Sequence, residues 1–323
     1  MSAKTVDFKE DFNMKNYTNT KVSTTAYNRE FWNAMLGKPI TDRAVLDEGH
    51  ISTAGSFALP EEAYQRFDAR LTEQNIFRQV ATVINLYGGH ARILTKDTDD
   101  TASWIPENSE IPVTNSMDDF SMKDIGTHKL AELLRLDESF VHDAAFDFQN
   151  YLVDRMADTF SRSEEDAFIN GTGVNMPTGI LNAASGAETG VNTSAITADN
   201  IISLYFSLDK KYRKNAVWMM NDKTALVLRT LKDSTGNYLW HSTDDTLLGK
   251  RVLISNYMPD TDAGNSPVVF GDFSYYWIIG RYPFSVRPLI EKFAITGQVG
   301  YLAFEFLDAK LTRREAVKAL TVG

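Results

Sequence analysis

The chain has 323 residues, 43% hydrophobic and 24% charged, enough apolar material for one large or two modest folded units. It has no cysteine, which excludes disulfides, thiolate metal sites and cysteine nucleophiles. A formal net charge of −10 makes it a poor direct ligand for nucleic acid, and no apolar run approaches the roughly 20 residues that span a bilayer. The first residues, MSAKTVDFKEDF, contain no apolar core of a secretory signal.

Residues 1–25 lack periodicity and read as an extended arm. Tyr27, Phe31, Trp32 and Met35 then fit a short helix. Pro60, Glu61 and Glu62 mark a helix start, followed at helical spacing by Tyr64, Phe67 and Leu71. Residues 88–127 change character: glycine pairs, Pro106, Pro112 and a cluster of acids forbid a continuous helix. A projecting two-stranded extension fits better than 40 structureless residues, and it needs a neighbouring surface to lie on. HKLAELLRL (128–136) has helical propensity but sits where the returning strand belongs, so a strand is expected. Residues 138–169 read as one long helix, with Ala144, Phe148, Leu152, Met156 and Phe160 on one stripe, Asp137 or Ser139 as cap, and a length of about 45 Å. It stops at Asn170-Gly171-Thr172-Gly173.

Beyond a loop at 175–195, residues 199–289 alternate helix and strand. Helices are expected at 199–212 and 222–231, and strands at 215–221, 251–255, 267–270, 275–279 and 284–288. Val299–Leu307 alternates, with Leu302, Phe304 and Phe306 on one face, and residues 316–322 are expected to pair with it after a turn near Arg313.

Reaction chemistry has little support. The five histidines have no metal-ligand spacing, and there is no GxSxG elbow. NGTGVNMPTG (170–179) follows a helix, the reverse of the strand–glycine–helix order of a phosphate loop, and reads as a structural turn. No cofactor or metal is expected, and no enzymatic activity.

Several stretches, in order, resemble the tailed-bacteriophage major capsid protein family with the Hong Kong 97-type shell fold. They are AYNREFWNAMLGK (26–38), STAGSFALPEEAYQRF (52–67), ASWIPENSEIPVTNSMDDF (102–120), KLAELLRLDESFVHDA (129–144), EEDAFINGTGVNMPTGIL (164–181), NAVWMMNDKTALVLRTLKDSTGNYLW (215–240), LLGKRVLISNYMP (247–259) and VVFGDFSYYWIIGR (268–281). The resemblance implies an α+β fold with an N-terminal arm (1–60) and an extended β-hairpin loop (88–130). It also implies a peripheral domain with a long spine helix (61–87, 131–184, 286–323) and an axial domain (185–285). It implies self-assembly into pentamers and hexamers of an icosahedral virion shell around phage DNA, built in the bacterial host cytoplasm without a membrane. Portal and scaffolding proteins are the implied partners. An encapsulin-type compartment with enzyme cargo is the nearest alternative, and an acidic hydrolase or a tail component are more distant ones.

An acidic wall would repel packed DNA instead of adsorbing it. Many members of the family begin with a scaffolding segment, which the resemblance leads one to expect to be absent here, separately encoded or removed. Some members weld subunits through a Lys–Asn bond. Lys96 and Lys123 lie in or beside the loop, but Ala294-Ile295-Thr296-Gly297 offers no Asn, so no cross-link is expected. The acids Asp97, Asp99, Asp100, Glu107 and Glu110 are expected to meet Arg135, Arg155, Arg162, Arg287, Arg313 or Arg314 of an adjacent subunit, with Trp104 and Ile105 as apolar anchors.

Overall fold

The computed structural model describes residues 22–51, 56–85, 92–96, 120–124, 126–143, 145–232, 236, 238, 240 and 245–323. The helices are α1 (Thr25–Met35), α2 (Arg43–Asp47), α3 (Glu61–Gln74), α4 (Ile76–Val80), α5 (Glu138–Val141), α6 (Phe148–Asn170), α7 (Ala198–Ser207), α8 (Lys210–Arg213), α9 (Asp222–Thr230) and α10 (Ile290–Phe293). The strands are β1 (His50–Ile51), β2 (Ser56–Ala58), β3 (Thr82–Asn85), β4 (Arg92–Lys96), β5 (Phe120–Asp124), β6 (His128–Asp137) and β7 (Glu188–Thr193). They continue with β8 (Val217–Met220), β9 (Thr246–Leu247), β10 (Lys250–Ile254), β11 (Val268–Gly271), β12 (Tyr276–Leu289), β13 (Gln298–Leu311) and β14 (Val317–Val322).

Two mixed sheets organise the molecule. One runs β1-β2-β12-β13-β6, with β3 added to β12; the other runs β7-β14-β11-β8-β10-β9; β4 and β5 pair apart from both. Each sheet has its own apolar core. Around the second sheet lie Phe77, Phe168, Trp218, Phe270 and Val317; around the first lie Tyr27, Phe31, Phe67, Phe160, Phe284 and Tyr301. Three long elements enter both cores. Helix α6 gives Phe148–Phe160 to one and Phe168 and Ile169 to the other; β12 gives Phe284 and Ile278; β13 gives Tyr301 and Leu307.

At the waist between the cores the buried residues turn polar. Arg78 donates through Nε and Nη2 to Glu164 at 2.8 and 2.6 Å, and through Nη2 to Glu305 at 3.1 Å. Asn75 donates to Glu164 at 3.1 Å while capping α4. This one network fastens α4, α6 and β13 together. Burial, reinforced by the like charge of Glu164, holds the Glu305 carboxyl well above its ordinary range. On the surface, Arg66–Asp154 (2.7 Å) and Arg70–Asp158 (2.8 Å) are spaced one turn apart on both α3 and α6. Half-exposed pairs of this kind add at most about 1 kcal/mol each, so they fix register more than stability.

Several expectations are corrected. The spine helix starts at Phe148, with Asp147 as its cap, and not near 138. Asp143 turns the chain by accepting from the Ala145 N–H, which separates α5 from α6. The helix is thus about 35 Å long. The two strands expected at 275–279 and 284–288 are one strand, β12, with register shifts between Gly280 and Ser285. Pro283 lies there, and without an N–H it cannot continue the ladder. Strand β14 does not pair with β13. It lies between β11 and β7 in the second sheet. The 3-10 turn at Arg314–Ala316 redirects the chain, and Arg314 ties it to the Gly186 and Ala183 carbonyls.

Of the arm expected over residues 1–60, residues 22–51 and 56–60 are described and pack on the body; residues 1–21 lie outside the described residues. Tyr27 donates to the Ala58 carbonyl and Tyr301 to that of Met35, burying α1 in the first core. In β13 the face of Tyr301 and Ala303 is also buried, not only that of Phe304. The strand reading of 128–136 holds: ten ladder positions of β6 against β13 override helical propensity. The NGTGVNMPTG loop folds on itself, its Gly179 and Gly173 N–H groups donating to Gly171 and Pro177 carbonyls.

Replacing Arg78 by Met leaves Glu164 and Glu305 buried without a cation; it is expected to destabilise the subunit by about 3–5 kcal/mol in denaturant melts. Glu305 has its pKa raised on folding, so the folded state binds more protons than the unfolded one above the ordinary value of 4.5. Its contribution to stability therefore declines as pH rises from there through the folded-state pKa. Glu305→Gln should flatten that decline, measured as melting temperature against pH.

Candidate assembly interface

A second buried polar feature stands at the root of the hairpin. Asn85 at the end of β3 pairs with Gly280, Gly280 with Leu307, and Leu307 with His128 at the start of β6. The two feet of the hairpin thus stand in one row, three strand spacings or about 14 Å apart. The hairpin strands themselves are direct neighbours, Arg92 opposite Asp124 through Lys96 opposite Phe120. No other strand among the described residues joins that pair.

Asp308 holds the return foot. Its side chain is wholly buried in β13, and its Oδ2 accepts the Gly126 N–H at 2.7 Å and meets Lys310 Nζ at 3.1 Å. His128 Nε2 lies 3.5 Å from the other oxygen. A Cβ on Gly126 would come within 3.3 Å of the carboxylate, so glycine leaves room for this close approach. At the same level, inside the irregular stretch of β12, Arg281 is 6% exposed, and its Nε and Nη1 have no hydrogen-bond partner among the described residues.

Apolar side chains also reach solvent. Ile295 is fully exposed on the turn after α10, Phe206 projects from α7 and Leu226 from α9. Leu248 stands half-exposed at φ 51°, beside Gly249 at 72°, in the two-residue turn joining β9 to β10. A bulky residue in this left-handed position is strained, and Asn is the usual occupant. The turn therefore displays an apolar side chain at a conformational cost.

The sequence-derived contact residues divide. Asp97, Asp99, Asp100, Trp104, Ile105, Glu107 and Glu110 lie outside the described residues. Arg313 is engaged within the chain, by Tyr212 and Glu315, and Arg314 by the loop carbonyls described above. Arg135 is exposed over the Phe293 ring, and Arg155 and Arg162 are exposed on α6 near Glu132. Arg287 is half-buried in β12. Sequence reasoning passed over Asp308 and Arg281. The available signal was charge inside each apolar strand pattern: Asp308 between Glu305 and Lys310 in FEFLDAKL, and Arg281 alone in YYWIIGRYPF. Among the described residues no cluster of three metal-ligating side chains occurs, and no helix is long and apolar enough to cross a membrane.

Comparison with known proteins places this geometry. The model of the phage capsid family matches residues 55–322. A curated relative, the probable major capsid protein gp17 of Mycobacterium phage L5, is 25% identical over 77% of this chain and 74% of its own length. The capsid structure of a native GTA particle superposes with a TM-score of 0.64 at 31% identity, covering 76% of this chain and 88% of that one. A structure from Gordonia phage Cozz shares the fold at 17% identity, with a TM-score of 0.54 over 77% of this chain and 86% of its own.

Replacing Asp308 by Ala removes the acceptor of the Gly126 N–H and the partner of Lys310. A loss of about 1–3 kcal/mol is expected, with faster amide exchange at Gly126 and neighbouring residues than in Asp308→Asn, which keeps an acceptor oxygen.

Proposed function

The chain belongs to the phage capsid family, and from that premise we propose that it is the major shell subunit of a tailed-phage head, closing as pentamers and hexamers into an icosahedral shell around DNA. The hairpin carries this reading. Two strands alone are marginal in water, so β4 and β5 require cover, and an adjacent subunit supplies it. Repeated heterologous contacts close into rings, and small changes of angle let one chain serve five-fold and six-fold positions.

In the shell, residues 88–130 form the extended loop, and the second sheet with its helices, now including β14, forms the axial unit. The first sheet and α6 form the peripheral unit. Arg135, Arg155, Arg162 and Arg287 remain the surface cations for the neighbour's acids, each exposed pair adding at most about 1 kcal/mol and setting register. Trp104 and Ile105 supply apolar anchoring. Portal and scaffolding proteins are further partners, and packaged DNA is enclosed without sequence-specific binding. The protein resides in the virion and assembles in the host cytoplasm.

Purified protein should elute in the megadalton range and show shells by electron microscopy; elution as a monomer or small oligomer under all assembly conditions contradicts the reading. Trp104→Ala should leave subunit folding intact by circular dichroism and lower particle yield.

A further inference from the structure

We propose that the waist is a proton-operated joint: neutral Glu305 locks the two units together, and ionised Glu305 lets go of Arg78 and leaves the units free to turn against each other. The inference goes beyond shell formation, since it concerns the single subunit.

The geometry is that of two acids on one cation. Arg78 Nη2 reaches Glu164 Oε1 at 2.6 Å and Glu305 Oε1 at 3.1 Å, while its Nε holds the other Glu164 oxygen at 2.8 Å. Arg78 and Glu164 neutralise each other, so a charge on Glu305 is surplus, buried and beside a like charge. Asp68 of α3, 3.7 Å from Arg78 Nη1, adds a further negative charge. Glu305 Oε2 is shielded from solvent and has no hydrogen-bond partner among the described residues. On its flanks, Leu130 of β6 stands opposite it, and Arg281 of β12 makes no hydrogen bond to it. Burial, and then the like charge of Glu164, push the Glu305 carboxyl well above its ordinary range, against the pull of Arg78.

Its place in the fold turns this acid into a joint. Glu305 sits on β13 between Tyr301 and Ala303 of the first core and Leu307 and Ala309 of the second, where the strand crosses from one to the other. Its bond to Arg78 ties that strand to α4 and, through Glu164, to α6. Glu165, the next residue of α6, is fastened the opposite way, accepting from Ser255 after β10 and from the Ile76 N–H. Helix α6 therefore stays with the second sheet when Glu305 lets go. The carboxylate also has a place to turn. A small cavity beside it is lined by Tyr64 and Asp68 of α3, Asn85 of β3 and Tyr282 of β12, and the charged groups on its walls are Asp68, Arg78 and Glu305. The Asn85 amide and the two phenols can donate to a carboxylate that leaves Arg78. Because folding raises the pKa of Glu305, the joint is locked below that folded-state value and opens as pH rises through it.

The chain has no cysteine, so Ala69→Cys on α3 and Ser203→Cys on α7, both exposed, place one spin label on each unit of the full chain. Unassembled subunits serve, or labelled chains diluted among unlabelled copies where particles form. A failure to form particles counts against the shell reading and leaves this measurement intact. Distance distributions are recorded from about pH 5 to about pH 10. One narrow distance is expected at the acid end, and a second or broader population at the alkaline end, with helix content by circular dichroism unchanged. Glu305→Gln, a neutral side chain of the same shape, should keep the narrow distance throughout. Infrared difference spectra across the same range should show the loss of a protonated-carboxyl band that Glu305→Gln lacks.

An absent band, or a band that disappears while the wild-type distance stays fixed, would overturn the proposal. So would equal broadening in Glu305→Gln, or broadening that comes only with loss of helix content.

Discussion

The structure depends on one constraint: two apolar cores share three continuous elements, and a charged fastening built on Arg78 lies where they meet. Helix α6 and strands β12 and β13 each pass from one core to the other. An apolar waist would fuse the cores into one. Here Arg78, Glu164, Glu305 and Asn75 occupy it instead, with hydrogen bonds that link α4, α6 and β13 in fixed register. Directional bonds tolerate less sliding than apolar packing, so the two units are held at a defined relation while each keeps its own interior.

That arrangement explains why the hairpin can project. Its feet are anchored in the rigid first sheet, in a row whose ends are Asn85 and His128, and Asp308 fixes the return foot through a backbone N–H. The strands beyond the feet, β4 and β5, pair with each other apart from both sheets. A subunit with a firm root and an uncovered extension is suited to joining copies of itself. Closure into a shell then arises from many such contacts, none individually strong.

Much of the subunit was legible in the sequence because local signals and tertiary demands agreed. The stripe Phe148, Leu152, Met156, Phe160 announced α6, and Asn170-Gly171 announced its end. Gly171 is required there, as a Cβ would meet the Pro177 and Ala167 carbonyls at 2.2 and 2.3 Å. The strands β8, β10 and β11 stood out as short apolar runs, and the resemblance to capsid proteins lay in their order. The loop acids and the anchors Trp104 and Ile105 lie outside the described residues.

What the sequence determined by itself was therefore the content and order of elements, the absence of thiol chemistry and the family. The fold decided what depends on residues far apart in the chain. It placed β14 between β11 and β7, joined two apparent strands across Pro283, and engaged Arg313 and Arg314 within the subunit. It also gave Asp308 and Arg281 their importance, because a charge in an apolar strand acquires meaning only from what packing brings beside it. Periodicity reports which face of an element is apolar; which element covers that face, and which buried charge finds a partner, are settled by three-dimensional contact.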